Sequence, residues 1–581
     1  MRKVLAGLIA TSALGLATVV LAQGLLGVQP SHAQRSGGQE ETEEGVPVTD
    51  ALTISKCSAC HTKDSKGNLS RISWIRTTPE GWSQAIKRMV RQNGLQISPA
   101  EARSIIKYLA SDHGLAPEEA KPVMYLTEHR IQDETLIPNE AVRGGCAACH
   151  AFAQPMSWRR SKADWQLLQN LHVALYSQAE VMYRRPASAA GREGPPDPSD
   201  HGPTQADAAL DFLSKNAPLH TPEWEAWRAR MRAPQLTGKW LVSASVPGKG
   251  RFVGEMTVEP GAAKDEFKTS AVLTSLKDGS VLKRKGTSVV YGGYAWRGRS
   301  QGTPGAKLDD LNSEAREALW VAPNQSTAEG RWYWGEYQEF GFDVKLVRAT
   351  GPTLVAVGPY ALKAGSKDVQ VKLYGANLPT GLSAGAVHLG SGVTVKRVVS
   401  STPSEVDVDV DVAADATSGL RDAEVQSAVL ERAIPVFHKI DYIKVTPETA
   451  MARLGSDVHP RGYQQFEAIG YEKGPGGKPG GADDVMVGPI DVDWKVEEFM
   501  AVYNDDDKDF VGQLSKTALF IPASDGPNPK RKFSRNNYGD VWVVATAKTE
   551  KDKFGKPLSG RSYMVVTVPS YQRWDQPEVS Q

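Results

Sequence analysis

Cys57-Ser58-Ala59-Cys60-His61 and Cys146-Ala147-Ala148-Cys149-His150 contain every cysteine of the 581-residue chain. In a C-x-x-C-H motif two thiols add to the vinyl groups of haem and the adjacent histidine ligates its iron. The pair therefore reads as two covalently bound haem c groups, with Cys57, Cys60, Cys146 and Cys149 as attachment points and His61 and His150 as proximal ligands. Half a zinc knuckle or a redox disulfide also uses C-x-x-C, but neither explains an immediate histidine twice over. With all four cysteines committed, none remains to form a disulfide elsewhere.

Working outward from the motifs, the two halves share further landmarks. Ser73-Trp74 corresponds to Ser157-Trp158, a second tryptophan follows at Trp82 and Trp165, and Tyr108-Leu109 precedes Pro117-Glu118 as Phe212-Leu213 precedes Pro222-Glu223. The spacing predicts two tandem all-α cytochrome c units, about 48–122 and 140–232, within a dihaem domain of 34–234. Trp82–Gln92 and Pro99–Ala110 have apolar residues at helical spacing, and Ser98-Pro99-x-Glu101 reads as a helix start. Arg185–Pro203, rich in proline and glycine, reads as a loop.

The repeat also nominates the sixth iron ligands. Met89 and His172 each lie seven residues beyond the second tryptophan of their unit, on an expected helix. Haem 1 is then His61/Met89 and haem 2 His150/His172. Each could instead be an ordinary core residue. The competing ligands are His113 or Met124 for the first haem and Met156, Met182 or His129 for the second. Thioether ligation raises a haem potential relative to two imidazoles, so on ligands alone electrons run from haem 2 to haem 1.

Arg2-Lys3, an apolar run from Val4 to about Val28, and Ser31-His32-Ala33 form a secretory signal over 1–33, which predicts a periplasmic mature protein starting near Gln34. An uncleaved membrane anchor is the alternative. The formal net charge of +1, with 40% hydrophobic and 23% charged residues, gives no global field that would recruit nucleic acid or a membrane surface.

From about Gln235 helical periodicity gives way to short alternating runs, and three all-β domains are expected. Residues 235–350, opening with Thr237-Gly238-Lys239-Trp240, suit an antiparallel barrel whose interior is filled by side chains. Residues 351–438 and 439–581 fit immunoglobulin-like β-sandwiches. In the first of these, Val406-Asp407-Val408-Asp409-Val410-Asp411-Val412 has one apolar and one acidic face, and such charge discourages edge pairing. Asn504 to Asp509 lacks the glycine and distal glutamate of an EF-hand loop and reads as a solvated acidic turn. The glycine-rich Gly474–Gly481 lacks phosphate-loop spacing.

The two haem motifs, the Trp/Met89 and Trp/His172 correspondence and the order of one dihaem and three β-domains together resemble the α subunit of quinohaemoprotein amine dehydrogenases. The resemblance implies a heterotrimer. A small partner subunit carries cysteine tryptophylquinone, where primary amines are oxidised, and a β-propeller subunit completes the complex. This chain would pass electrons from that quinone to a soluble cupredoxin or cytochrome c, and no catalytic residue for amine chemistry falls on it. A dihaem c-type peroxidase and a haem-bearing binding or adhesion protein are the competing classes.

Overall fold

The computed structural model describes residues 41–569 apart from 124–136, 138–139, 148–149, 151, 191–193, 195–196, 198, 307–309, 335–339 and 501–504. The expected signal segment, Cys149, Met124, His129 and Asn504 lie outside the described residues. None of the described helices is long and apolar enough to cross a membrane.

Helices of the N-terminal lobe include α1 (Ala51–Cys57), α2 (Pro79–Asn93) and α3 (Pro99–Asp112), then α4 (Lys162–Leu175), α5 (Gln205–Asn216) and α6 (Pro222–Arg230). Their ends follow local chemistry. Thr78 and Ser161 cap α2 and α4 by accepting from Gly81 N and Asp164 N, and α2 stops at Gly94, whose φ of 70° suits a residue without Cβ. Ser98 and Glu101 close a reciprocal capping box on α3.

Two short strands, β1 (Ile75–Thr77) and β2 (Trp158–Arg160), join the units by antiparallel pairing in which Arg76 faces Arg159. Both arginines lie six residues before the second tryptophan of their unit. The pairing thus places repeat-equivalent residues opposite each other, the signature of a local two-fold axis. One further set of contacts obeys it. Trp82 Nε1 donates to His113 O and Trp165 Nε1 to Ala217 O, both at 3.0 Å, and the same carbonyls accept from Thr77 N and Arg160 N.

One carboxylate bridges the two arginines at the axis. Arg76, with no exposed surface, donates to both Glu119 oxygens at 2.8 and 3.0 Å, and Arg159 Nε donates to Glu119 Oε1 at 3.1 Å. Thr221 Oγ1 and Ala116 N add two more donors, and the Arg76 guanidinium lies 4.5 Å over the Trp224 ring. Burial alone would raise Glu119, but the Arg76 and Arg159 interactions overcome it and hold the carboxyl down at about 2. Burial pushes Arg159 down despite its share of Glu119, yet a guanidinium stays charged far below its ordinary value.

Strands β3 (Gly238–Val246), β4 (Gly250–Pro260), β5 (Glu266–Ser275), β6 (Val281–Tyr291), β7 (Ala295–Gln301), β8 (Ala315–Val321), β9 (Thr327–Trp334) and β10 (Phe340–Arg348) form a closed barrel, β10 pairing back onto β3. Aromatic rings fill it: Phe267 stacks on Trp296 at 6.1 Å, and Phe342 meets Trp332 at 5.8 Å and Trp334 at 5.4 Å. A hydrophobic core runs from the first unit into the barrel, and smaller separate clusters lie in the second unit. Across that junction Arg297 pairs with Glu80 at 2.5 Å, both largely buried, and Tyr294 Oη donates to Leu115 O at 2.8 Å.

The third domain contains β11 (Thr353–Gly358), β12 (Leu362–Lys363), β13 (Val369–Ala376), β14 (Val387–His388), β15 (Val393–Ser401), β16 (Glu405–Val412), β17 (Gly419–Val425) and β18 (Ala428–Phe437). The sheets β11-β13-β16-β15 and β12-β18-β17-β14 share one core. The alternating strand β16 is interior to its sheet, contrary to a role in guarding an edge. Its four valines are fully buried, while its acidic face is met by Lys372 on Glu405 at 2.9 Å and Arg397 on Asp409 at 2.6 Å from the flanking strands. The fourth domain, from Tyr442 to Thr567, is built of three further sheets around a separate core.

Candidate functional site

Asp50 caps α1 by accepting from Thr53 N at 2.7 Å, and the helix ends on Cys57. The chain then turns tightly, with Cys60 N and His61 N both donating to Cys57 O, so that the first motif is presented as one rigid turn. Cys57 is half-buried, Cys60 is exposed, and the two are not joined in a disulfide. Burial, then the neighbouring Cys60, pushes the Cys57 thiol up to about 11. His61 Nδ1 donates to Ser70 O at 2.8 Å, which fixes the ring and leaves Nε2 as the free coordinating nitrogen.

Met89 sits near the C-terminal end of α2, three residues beyond Ile86, which packs with Cys57 against the lobe core. Its sulfur accepts from Asn93 Nδ2 at 3.7 Å within its own helix. Of the competing first-site ligands, His113 is fully buried at the end of α3, edge-on to Trp82 and Tyr108, and burial holds it neutral with a pKa of about 3.

The second site is a cavity of about 360 Å³ on which Cys146, His150 and His172 converge. Cys146 lies in a π-helical turn, Arg143–Ala147, of the kind often found at functional positions. His172 Nδ1 donates to Leu168 O at 2.8 Å, the same device as at His61, and Tyr176 and Tyr183 flank its ring. Met182 also lines this cavity, whereas Met156 is packed among neighbouring apolar clusters. Trp165 and Leu168 supply apolar wall. Arg160, fully buried on the same wall, has an Nε without a hydrogen-bond acceptor among the described residues. A chamber lined by thiol, imidazole and aromatic and aliphatic wall, with an orphaned cationic donor, suits a flat macrocycle that bears anionic substituents.

The motif rule located Cys146, His150 and His172 but missed Arg88, Gln92 and Arg160 on the same walls. Arg160 carried one signal: with Arg159 it precedes the second tryptophan at the offset occupied by Arg76-Thr77 in the first unit. The two lesser candidates are internally satisfied. Asp505, Asp506 and Asp507 cluster closely, and in place of solvent Arg531 and Arg535 contact them, at 2.6 Å from Arg531 to Asp506 and 2.5 Å from Arg535 to Asp507. In the glycine-rich loop, Gly474 N, Gly480 N and Gly481 N all donate to the Asp484 carboxylate, so the chain's own anion occupies that nest.

Four domain families match the chain in succession. They are quinohemoprotein amine dehydrogenase A, alpha subunit, haem binding, over 48–192, and quinohemoprotein amine dehydrogenase, alpha subunit domains II, III and IV, over 233–349, 351–438 and 443–579. Comparison with curated proteins finds no match. Among solved structures, a redesigned β-barrel, mFAP1, bound to DFHBI is 17% identical, with 20% of this chain and 99% of that chain covered at a TM-score of 0.17. Human protocadherin-24 EC1-2 is 8% identical, with 38% and 99% covered at a TM-score of 0.15.

Proposed function

Because the chain belongs to the quinohaemoprotein amine dehydrogenase α-subunit family, we propose that it is the dihaem electron-transfer subunit of a periplasmic amine dehydrogenase complex. The observation that carries this reading is the convergence of Cys146, His150 and His172 on one cavity. Cys57 and Cys60 would attach the first haem c and Cys146 and Cys149 the second. His61 and Met89 would be axial to the first iron, His150 and His172 to the second. When bound, each haem supplies reversible one-electron storage. This chain's residues would hold the rings, and Ser70 O and Leu168 O fix the imidazole tautomers.

The chain would accept electrons from a cysteine tryptophylquinone in a small partner subunit and deliver them to a cupredoxin or cytochrome c, with a β-propeller subunit completing the heterotrimer. A peroxidase needs an open sixth position, and the anchoring of His172 beside His150 favours a closed one. The third and fourth domains we read as immunoglobulin-like sandwiches that serve as scaffold.

Mass measurement on the denatured chain should find two covalent haems, and quinone staining of the native complex should reveal a small co-purifying subunit. The isolated chain should be reducible without turning over primary amines. A single haem, or amine oxidation by the chain alone, would refute the assignment.

A further inference from the structure

The second cavity is not built from the second unit alone. Arg88 and Gln92, from α2 of the first unit, line it together with Arg160 of the second. Among the described residues no aspartate or glutamate lines this cavity. Immediately behind the wall, Asp164 pairs with Arg160 and, at 2.6 Å, with Arg71. That single carboxylate is shared by two guanidiniums, and Arg88 adds a third positive charge close to both. Glu41, which accepts the Ser161 hydroxyl at 2.5 Å, does not line the cavity. Arg160 spends its stacking surface on Trp158 and Trp165, 4.5 and 5.5 Å away, yet its buried Nε is left without an acceptor. A buried donor that lacks an acceptor is costly, and the excess of guanidinium over carboxylate along this wall favours an anionic acceptor.

Building on the haem assignment above, we propose that Arg88 and Arg160, one from each unit, form the anion site of the second cavity and hold the propionate carboxylates of its haem. Arg160 would serve one carboxylate through the orphaned Nε, and Arg88 would serve the other. Arg88 is then a positioning residue that reaches from the helix bearing Met89 across to the other haem. A nearby cation favours the electron-rich reduced state, so this pair raises the potential of the second haem.

The test is a spectroelectrochemical titration of the two-haem protein and its Arg88→Gln variant, with the methionine-sulfur band marking the first haem. Loss of Arg88 should lower the potential of the histidine–histidine haem by a tenfold change in its reduction equilibrium, 59 mV for one electron, and leave the methionine-ligated haem in place. Arg88→Lys should recover part of the shift. Lys87→Gln, which removes the same charge one residue away, should move that haem less. Equal shifts in Arg88→Gln and Lys87→Gln, no shift, or a shift confined to the methionine-ligated haem would overturn the proposal. Wild-type protein with one haem would overturn the haem assignment itself, and is told apart by mass before any titration.

Discussion

At the scale of single residues, the duplicated tryptophan was the most useful mark in the sequence. Counting from it led to Met89 and His172, and the structure places His172 on the cavity shared with His150. If both are distal ligands, Met89→Ala should abolish the methionine-sulfur charge-transfer band of the oxidised protein while His172→Ala leaves it. Optical spectra of the two variants decide this, and a band that survives Met89→Ala would move the ligand to another sulfur. Buried charge was far less legible: Arg76 and Glu119 read as surface residues in any periodicity argument, because only tertiary contact shows that each has its counter-charge. Glu119→Gln leaves Arg76 and Arg159 facing a neutral amide in the interior and should cost about 3–5 kcal/mol in denaturant unfolding. The sign of the pH effect follows from a carboxyl held below its ordinary value. The stabilisation is complete above the ordinary value of 4.5 and is lost as pH falls toward about 2. The variant's stability should therefore lack that part of the acid limb.

At the scale of elements, caps and alternation were readable and neighbours were not. Ser98, Pro99 and Glu101 announce α3 because the capping chemistry is local. Strands β1 and β2 have three residues each, too few for any period, and the join between the units was invisible for that reason. Strand β16 shows its valine face plainly, but whether one or two strands flank it depends on residues far away in the chain. The two faces should respond differently to substitution. Val408→Ala, which empties buried volume, should cost about 2 kcal/mol. Lys372→Ala, which loosens a partly exposed pair with Glu405, should cost less than about 1 kcal/mol. Urea unfolding of the two variants measures the contrast. For the acidic turn, the guanidiniums of Arg531 and Arg535 already serve Asp505, Asp506 and Asp507, so neither calcium nor EDTA should move the melting temperature.

At the scale of the whole molecule, the first unit and the barrel share a continuous core, the second unit adds smaller clusters of its own, and the third and fourth domains each have a separate core. Heating should therefore give a transition in which the methionine-sulfur band of the first haem and the tryptophan emission change together, with separate transitions for the C-terminal domains. Loss of that band well before the tryptophan change would disprove the coupling. The local two-fold axis between the units has a different consequence. Counting from Pro117 and Pro222, Glu119 and Trp224 are equivalent positions, and both address Arg76, one with a carboxylate at its edge and the other with an indole against its face. A homodimer cannot do this, since any side chain near its axis is present twice. Two acids there would leave no indole against the Arg76 face, and two indoles would leave both arginines without a carboxylate. Linking the units in a single chain permits one copy of each, so fusion turns a symmetric contact into a lopsided one that can be mutated on one side at a time.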